Sequence, residues 1–173
     1  MIPQDLSTYR QLLARLDAHS ERVSSAWADA LSCAEGCSGC CLRDLSVFAV
    51  EAANIRAWLA DNDLGSGTSA EGCALLDERG RCRIYPVRPV VCRTHGLPLA
   101  VAQDDGTVTG DVCPLNFDGG EGLAQVPSQD FLSVTTIDTM LAAVDLAFTR
   151  SAGLPDGQRT PLADLADRGG ETS

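Results

Sequence analysis

The residues of this chain that are best suited to carry out chemistry are its eight cysteines. They are Cys33, Cys37, Cys40, Cys41, Cys73, Cys82, Cys92 and Cys113, so all of them fall within residues 33–113 of the 173-residue sequence. Thiolates bind zinc and the iron of iron–sulfur clusters, and ligands two to four residues apart can wrap one metal without backbone strain. In a reducing compartment, clustered thiols are more typical of metal binding than of disulfides. We therefore predict metal ligation by all eight; a disulfide framework and a redox-sensing thiol cluster are the alternatives.

The spacing of the first four cysteines limits how they can share metals. Three residues separate Cys33 from Cys37, two separate Cys37 from Cys40, and Cys41 follows directly. Adjacent side chains in an extended chain point to opposite sides, so this pair is expected to serve two metals, or one inorganic cluster larger than a single ion. Eight thiols then divide into two four-ligand sites, with the pair as the hinge. The other count is one four-ligand site and four bystanders.

Five arginines lie inside the cysteine window, in a stretch of fifteen residues: Arg79, Arg81, Arg83, Arg88 and Arg93. Four thiolates around one zinc ion, or around a cubane, leave about two negative charges. Guanidinium groups can offset this charge and donate hydrogen bonds to sulfur. We predict Arg88 and Arg93 as cofactor-binding residues, the alternative being that all five are ordinary surface residues. His95 is either a substitute ligand or an exposed turn residue.

Three amphipathic segments are positioned to hold this window in place. Apolar residues recur at steps of three and four over Gln4–Leu31 and over Gln129–Arg150, which predicts two long helices. Pro127 and Ser128 supply a stop and an N-cap for the second. A shorter helix is predicted over Val50–Ala60, followed by a loop at 65–70.

Two short hairpins are predicted between the helices. The turn sequence 77–80 lies midway between Cys73 and Cys82, so folding there is expected to bring these two thiols close together across the strands. In the second hairpin, residues 99–103 face residues 107–112 around the turn sequence 104–106. The expected fold class is α+β, mainly α: two long helices and a shorter one surround an irregular, cysteine-rich metal-binding centre.

One domain of 1–150 is predicted, followed by a tail of 151–173 that contains a short docking helix.

Thirteen arginines and no lysine against 24 acidic residues give a formal charge of −11, which argues against a nucleic-acid partner. The longest apolar runs are far too short to span a bilayer, so no membrane association is expected. We expect a cytoplasmic protein because no export signal is visible. No Ser/His/Asp set, phosphate loop or paired-carboxylate pattern supports an enzyme assignment.

Two motifs resemble those of a known family, the YkgJ-type cysteine-cluster family, also described as the CxxCxxCC zinc- or iron-chelating domain. They are Cys37-Ser-Gly-Cys40-Cys41 and the run Cys82-Arg-Ile-Tyr, Arg88-Pro and Cys92-Arg93 that follows Cys73. The similar region covers about 33–95. The resemblance implies metal or iron–sulfur binding at Cys37, Cys40, Cys41, Cys73, Cys82 and Cys92. Cys33 departs from the family spacing by one residue, and Cys113 lies outside the similar region.

The function expected from this sequence is that of a metal-binding protein carrying iron–sulfur clusters, of the 4Fe-4S type, as a redox or accessory module for a protein partner. One alternative is a zinc-stapled structural or interaction protein. Another is a metal storage or delivery protein, which requires labile, partly exposed thiolates. The metal-stapled centre buries little apolar area for its length, so the metal is expected to contribute directly to stability.

Overall fold

The computed structural model describes residues 5–42, 44–64 and 72–166. Its α-helices are α1 (Ser7–Ala26), α2 (Ala49–Leu59), α3 (Val90–Thr94), α4 (Val134–Ala152) and α5 (Ala163–Ala166). Its strands are β1 (Ser46–Phe48), β2 (Leu99–Ala102), β3 (Val108–Asp111), β4 (Leu132–Ser133) and β5 (Arg159–Pro161). Two long helices, a shorter one and several very short strands confirm the predicted α+β, mainly α class.

The chain divides into two compact units. The first unit comprises Met1–Tyr9, Glu35–Pro89 and Ala142–Ser173, and the second comprises Arg10–Ala34 and Val90–Leu141. The cysteines are shared unequally between them, because Cys33, Cys92 and Cys113 belong to the second unit and the other five to the first. The predicted boundary at residue 150 stays a prediction.

The core of the first unit lies beneath an antiparallel pair of strands. β1 pairs with β5, with Val47 opposite Thr160. The buried core residues come from β1, α2, the cysteine window and the C-terminal segment: Val47, Ala52, Ile55, Cys73, Leu75, Leu76, Ile84, Leu162 and Leu165. The start of α2 is held by the buried carboxylate of Asp145, which accepts the backbone N–H of Val50 at 3.0 Å. The described part of the tail, up to residue 166, is therefore integrated into this core.

A three-stranded sheet in the order β3-β2-β4 forms part of the second unit. β2 and β3 pair antiparallel, with Leu99 opposite Asp111, so the predicted second hairpin is confirmed. The buried carboxylate of Asp130 accepts the indole N–H of Trp27 at 2.9 Å and an N–H of Arg22. This carboxylate joins Arg22 of α1 and Trp27, the residue after α1, to the segment just before β4.

The second long helix starts later than predicted. Residues 128–130 form a 3-10 turn and Leu132 pairs in parallel with Leu99, so α4 begins only at Val134. The hydroxyl of Ser133 accepts the N–H of Thr136 at 3.3 Å, so Ser133, and not Ser128, caps the helix. The buried face of α4 includes Ile137, Leu141 and Phe148, as the apolar spacing predicts.

The first predicted hairpin forms with a different register. Leu76, not Cys73, lies opposite Cys82 in a single antiparallel bridge. The Asp77 carboxylate accepts the N–H groups of Arg79 and Arg81, both at 2.9 Å, which centres the turn on 77–81. Cys73 is therefore not directly opposite Cys82, because local side-chain bonding sets the turn, but the two thiols lie near enough to interact electrostatically, as the hairpin was expected to allow.

Several predicted features extend beyond the described residues. The predicted start of the first helix at Gln4, the loop at 65–70 and tail residues 167–173 lie outside them. The first helix ends at Ala26 rather than Leu31, and a 3-10 turn over Ala28–Ala30 follows it. Within 5–42, 44–64 and 72–166, no helix is both long and apolar enough to cross a membrane.

Candidate metal centre

Four thiols gather in the first unit, and we call Cys40, Cys41, Cys73 and Cys82 the thiol group. Cys73 is buried in the hydrophobic core, and Cys41 and Cys82 pack against that core from the side. The side chain of Cys40 is a hydrogen-bond partner of Cys41, and the other two thiols interact electrostatically with Cys41 as well. Both members of the adjacent pair therefore belong to the same group instead of diverging.

A tight turn and a close backbone contact bring the two halves of the thiol group together. The N–H of Cys41 donates to the carbonyl of Ser38 at 2.9 Å, which folds the chain back on itself at the adjacent pair. Gly72 has φ of +81°, and a Cβ there would lie 3.2 Å from the carbonyl oxygen of Cys41. Only glycine adopts this conformation at low cost and lets the backbone approach the Cys41 carbonyl so closely. Gly72 therefore places Cys73 near Cys40 and Cys41.

The environment of the thiol group opposes charge on sulfur. Burial raises the pKa of Cys41 to about 12, and the neighbouring thiols Cys40, Cys73 and Cys82 add to the rise because like charges repel. Burial also raises the pKa of Cys82, while the charges of Arg88 and Arg83 act in the opposite direction. The thiols of Cys41 and Cys82 are therefore protonated at neutral pH unless a cation compensates the thiolate charge. Metal binding supplies that compensation and releases the protons.

Two arginines stand beside Cys82. Arg83 follows it in sequence, and the guanidinium of Arg88 lies 4.0 Å from the centre of the Tyr85 ring. The backbone N–H of Tyr85 donates to the carbonyl of Cys82 at 3.3 Å, and that of Arg88 to the carbonyl of Tyr85 at 3.4 Å, on either side of the 3-10 turn Tyr85–Val87. The predicted cofactor-binding role of Arg88 stays a prediction.

The donor chemistry of the thiol group fits a zinc ion or an iron–sulfur cluster, both of which take four thiolates. A second feature fits a negatively charged metal–thiolate group: the Nε–H of Arg83 is buried and has no hydrogen-bond acceptor among the described residues. In those same parts of the chain, no three Cys, His, Asp or Glu side chains lie close enough to hold a metal ion as placed. Coordination therefore requires the thiols to draw together or to bind a group wider than one ion.

The remaining cysteine of the first unit, Cys37, is exposed and lies three residues before Cys40. None of the eight thiols, all within the described residues, takes part in a disulfide. The predicted ligand roles of Cys33, Cys37, Cys92 and Cys113 stay predictions. The idea of the adjacent pair as a hinge between two sites has no support in the placement of Cys40 and Cys41 within one group.

In the second unit, Cys33 is held by an asparagine that the sequence analysis missed. The fully buried Asn116 donates to the sulfur of Cys33 at 3.3 Å and to the carbonyl of Gly96 at 2.7 Å, and accepts the N–H of Ser32 at 2.8 Å. Its own N–H donates to the carbonyl of Cys113 at 2.9 Å. A single sequence gives no signal for such a residue, because its three side-chain partners lie at distant positions in the chain.

Two further predicted residues also lie in the second unit. Arg93 is buried and donates to both carboxylate oxygens of Asp17, at 2.5 and 2.7 Å. Its role as a cofactor-binding residue stays a prediction, and the charge that it brings is matched by this carboxylate. His95 lies just after α3, half-buried, with its backbone N–H donated to Val91.

Comparison with protein families places the thiol group within a recognised domain. Residues 32–114, just under half of the chain, match the family model CxxCxxCC, described as "Putative zinc- or iron-chelating domain". We refer to residues 32–114, which match this family model, as the CxxCxxCC domain. The comparison supports metal binding through zinc or iron and leaves the two metals undistinguished.

The CxxCxxCC domain extends further than the resemblance over 33–95 indicated. It reaches residue 114, so Cys113, which was placed outside the similar region, lies inside the domain. All eight cysteines fall within it. Searches among curated proteins and among solved structures gave no significant match to this chain.

Proposed function

We propose that the CxxCxxCC domain of this chain carries an iron–sulfur cluster of the 4Fe-4S type on Cys40, Cys41, Cys73 and Cys82, and serves as a redox or accessory module. The observation that carries the proposal is the placement of Cys40 and Cys41, adjacent in sequence, in one thiol group. A cubane presents its irons at separate corners. Two neighbouring thiols can therefore bind different irons of one cluster without both reaching the same ion.

The spacing of the thiol group favours the cluster in a second way. With zinc–sulfur bonds of about 2.3 Å, thiolates around a single zinc lie within about 4 Å of each other. The described thiols interact electrostatically but do not converge to single-ion spacing. A cubane holds its four thiolates further apart, so it suits a wider group. When bound, such a cluster supplies one-electron redox chemistry, and the surrounding core limits the access of water to it.

Zinc is the second candidate, favoured by the burial of the thiol group. Cys73 is in the hydrophobic core, and Cys41 and Cys82 pack on that core. A closed four-cysteine zinc site in this position would link the loop before β1 to the hairpin that carries Cys73 and Cys82, and would contribute to folding. Metal storage or delivery is less well supported, because easy release requires more exposed and more acidic thiols than Cys41 and Cys82. The proposal includes a cytoplasmic location, where reduced thiols persist, and a protein partner.

Metal and sulfide analysis tests the proposal. The full chain is purified without oxygen and assayed for iron, acid-labile sulfide and zinc, together with its visible absorption. We expect a brown protein with iron and sulfide in equal amounts, and loss of both in Cys41→Ser. Cys113→Ser, which changes a half-buried cysteine of the second unit, is the matched control and should retain them. A colourless protein that contains zinc would replace the iron–sulfur proposal with the zinc candidate.

A further inference from the structure

Arg83 ties together the two segments that carry Cys73 and Cys82. It follows Cys82 in sequence, and its backbone N–H donates to the carbonyl of Leu75 at 2.9 Å. Its Nη2 donates to the carbonyl of Ala74, the residue after Cys73, at 2.8 Å. The guanidinium is therefore fixed in place next to the thiol group by one of its own hydrogen bonds.

That anchoring leaves one donor of Arg83 without a partner. Nε is buried, and no described residue offers it an acceptor. A guanidinium keeps its charge in proteins, so this N–H stays a donor at every accessible pH. Leaving such a buried donor unsatisfied destabilises the folded state. An acceptor with negative charge at this position would remove the cost.

The acceptor that fits this donor is sulfur. Arg83 directly follows Cys82, and its Nη2 is bonded to the carbonyl of the residue after Cys73, so the guanidinium is held next to two members of the thiol group. Four thiolates with a zinc ion or a 4Fe-4S cluster leave a net negative charge of about two. Backbone and side-chain N–H groups stabilise such groups through hydrogen bonds to sulfur.

We infer that Arg83 is a dedicated hydrogen-bond donor and counter-charge for the metal–thiolate group of Cys40, Cys41, Cys73 and Cys82, acting through its free Nε–H. This inference rests on the proposed binding of a metal by these four thiols, and it applies to zinc as well as to iron–sulfur. It deepens that proposal by naming the residue that compensates the charge of the bound group.

Two of the other arginines in the cysteine window are paired with carboxylates. Arg81 donates to the carboxylate of Asp77 at 2.8 Å, and Arg93 is paired with Asp17. Arg88 is stacked over Tyr85. Arg83 is distinguished by the hydrogen bond that fixes its guanidinium to the segment carrying Cys73, whereas the sequence pattern singled out Arg88 and Arg93.

The test compares Arg83→Gln with Arg79→Gln, a matched control in the same hairpin whose side chain is exposed. The metal-free full chain is loaded with Zn²⁺ alone, and its affinity is measured by competition with a chromogenic chelator. We expect a 10- to 100-fold weaker affinity for Arg83→Gln, the usual loss when a partner of the ligands is removed, and an unchanged affinity for the control. Equal affinities in the two variants would overturn the inference.

A spectroscopic readout separates this role from a merely structural one. With Co²⁺ as the probe, the thiolate-to-metal charge-transfer band should move to longer wavelength in Arg83→Gln, because losing the donor raises the energy of the sulfur lone pairs. Arg83→Lys keeps the charge but lacks Nε, so it should shift the band in the same direction even if the glutamine variant fails to fold. An unshifted band in the lysine variant would contradict the inference. If the wild-type chain binds neither Zn²⁺, Co²⁺ nor iron, the proposed function itself fails.

Discussion

The side chain of Cys40 is a hydrogen-bond partner of the Cys41 thiol, the next residue in sequence, in one group with two more distant cysteines. Consecutive side chains in a strand would point apart, but the turn from Ser38 to Cys41 removes that constraint. The adjacent pair therefore reports on the nature of the bound group: two neighbouring thiols suit one wide cluster better than one ion.

Replacing Gly72 should disrupt the thiol group. In Gly72→Ala the new methyl group would lie 3.2 Å from the carbonyl oxygen of Cys41 and 3.4 Å from the side chain of Leu76, at a φ of +81°. We expect the free energy of unfolding to fall by about 2 kcal/mol, the range for a strained left-handed residue, and Zn²⁺ affinity to fall with it. Urea unfolding and chelator competition measure the two quantities.

Gly106 offers the matched control for that substitution. Its φ is +84°, and none of the described residues has an atom within 4 Å of the position that its Cβ would occupy. Gly106→Ala should therefore show the conformational cost alone, without an effect on metal affinity. If both variants bind Zn²⁺ as tightly as the wild type, the contact between Gly72 and Cys41 has no part in forming the site.

Metal removal should destabilise the first unit. Trp58 packs against its core, as Cys41 and Cys82 do, whereas Trp27 lies in the second unit. Because bound metal stabilises the folded state in proportion to its affinity, chelation should lower the thermal midpoint reported by Trp58 by several degrees or more. Fluorescence of Trp27→Phe, which leaves Trp58 as the sole tryptophan, measures this midpoint.

The complementary variant supplies the control. Trp58→Phe leaves Trp27 as the reporter of the second unit, and its midpoint should change less on chelation. An identical melting curve for Trp58 before and after complete metal removal would show that the metal does not hold this core together.

Much of the fold was predictable because it depends on local periodicity. The apolar stripe of α4, with Ile137 and Leu141 buried, follows from steps of three and four residues. The start of that helix was not predictable, because Leu132 is drawn into a parallel pair with Leu99, more than thirty residues away. Sequence patterns report the preferences of a segment and do not report which partner a distant segment provides.

The site shows the same division. The types and spacing of Cys40, Cys41 and Cys82 predicted metal binding, which the CxxCxxCC match supports. The register of the hairpin was missed, because the Asp77 carboxylate fixes the turn through bonds that spacing does not reveal. The position of Arg83 was also beyond prediction, since its anchor is a backbone carbonyl nine residues earlier.

Removing the Asn116 side chain should destabilise the second unit strongly. Asn116→Ala leaves the N–H of Ser32 and the carbonyl of Gly96 without their partners, 2.8 and 2.7 Å away in the wild type. An unsatisfied buried group costs about 1–3 kcal/mol, so a loss of roughly 3 kcal/mol in unfolding free energy is expected. The control is Asn62→Ala, which removes only an exposed bond to Trp58. Equal, small losses in the two variants would show that water replaces the bonds of Asn116.

The second unit should also lose stability in acid because of Asp130. The hydrogen bond from the Trp27 indole, and then the bond from Arg22, hold the pKa of the Asp130 carboxyl below its ordinary value. A group with a lowered folded pKa contributes its full stability above the unfolded pKa of about 3.9, and this contribution is lost as the pH falls through the folded pKa. Asp130→Ala should therefore be less stable by about 2 kcal/mol at pH 7, with a smaller further decline in acid.

Urea unfolding followed by Trp27 fluorescence at pH 7 and at steps below pH 4 measures that difference. Asp138→Ala, at an exposed position on α4, is the matched control and should follow the wild-type curve. The reason for the difference is that wild-type protonation removes a charge which both Trp27 and Arg22 stabilise, whereas the alanine variant has no such charge to lose. Parallel pH curves for the wild type and Asp130→Ala would show that this carboxylate keeps its proton affinity on folding, and that the acid sensitivity of the chain comes from other carboxylates.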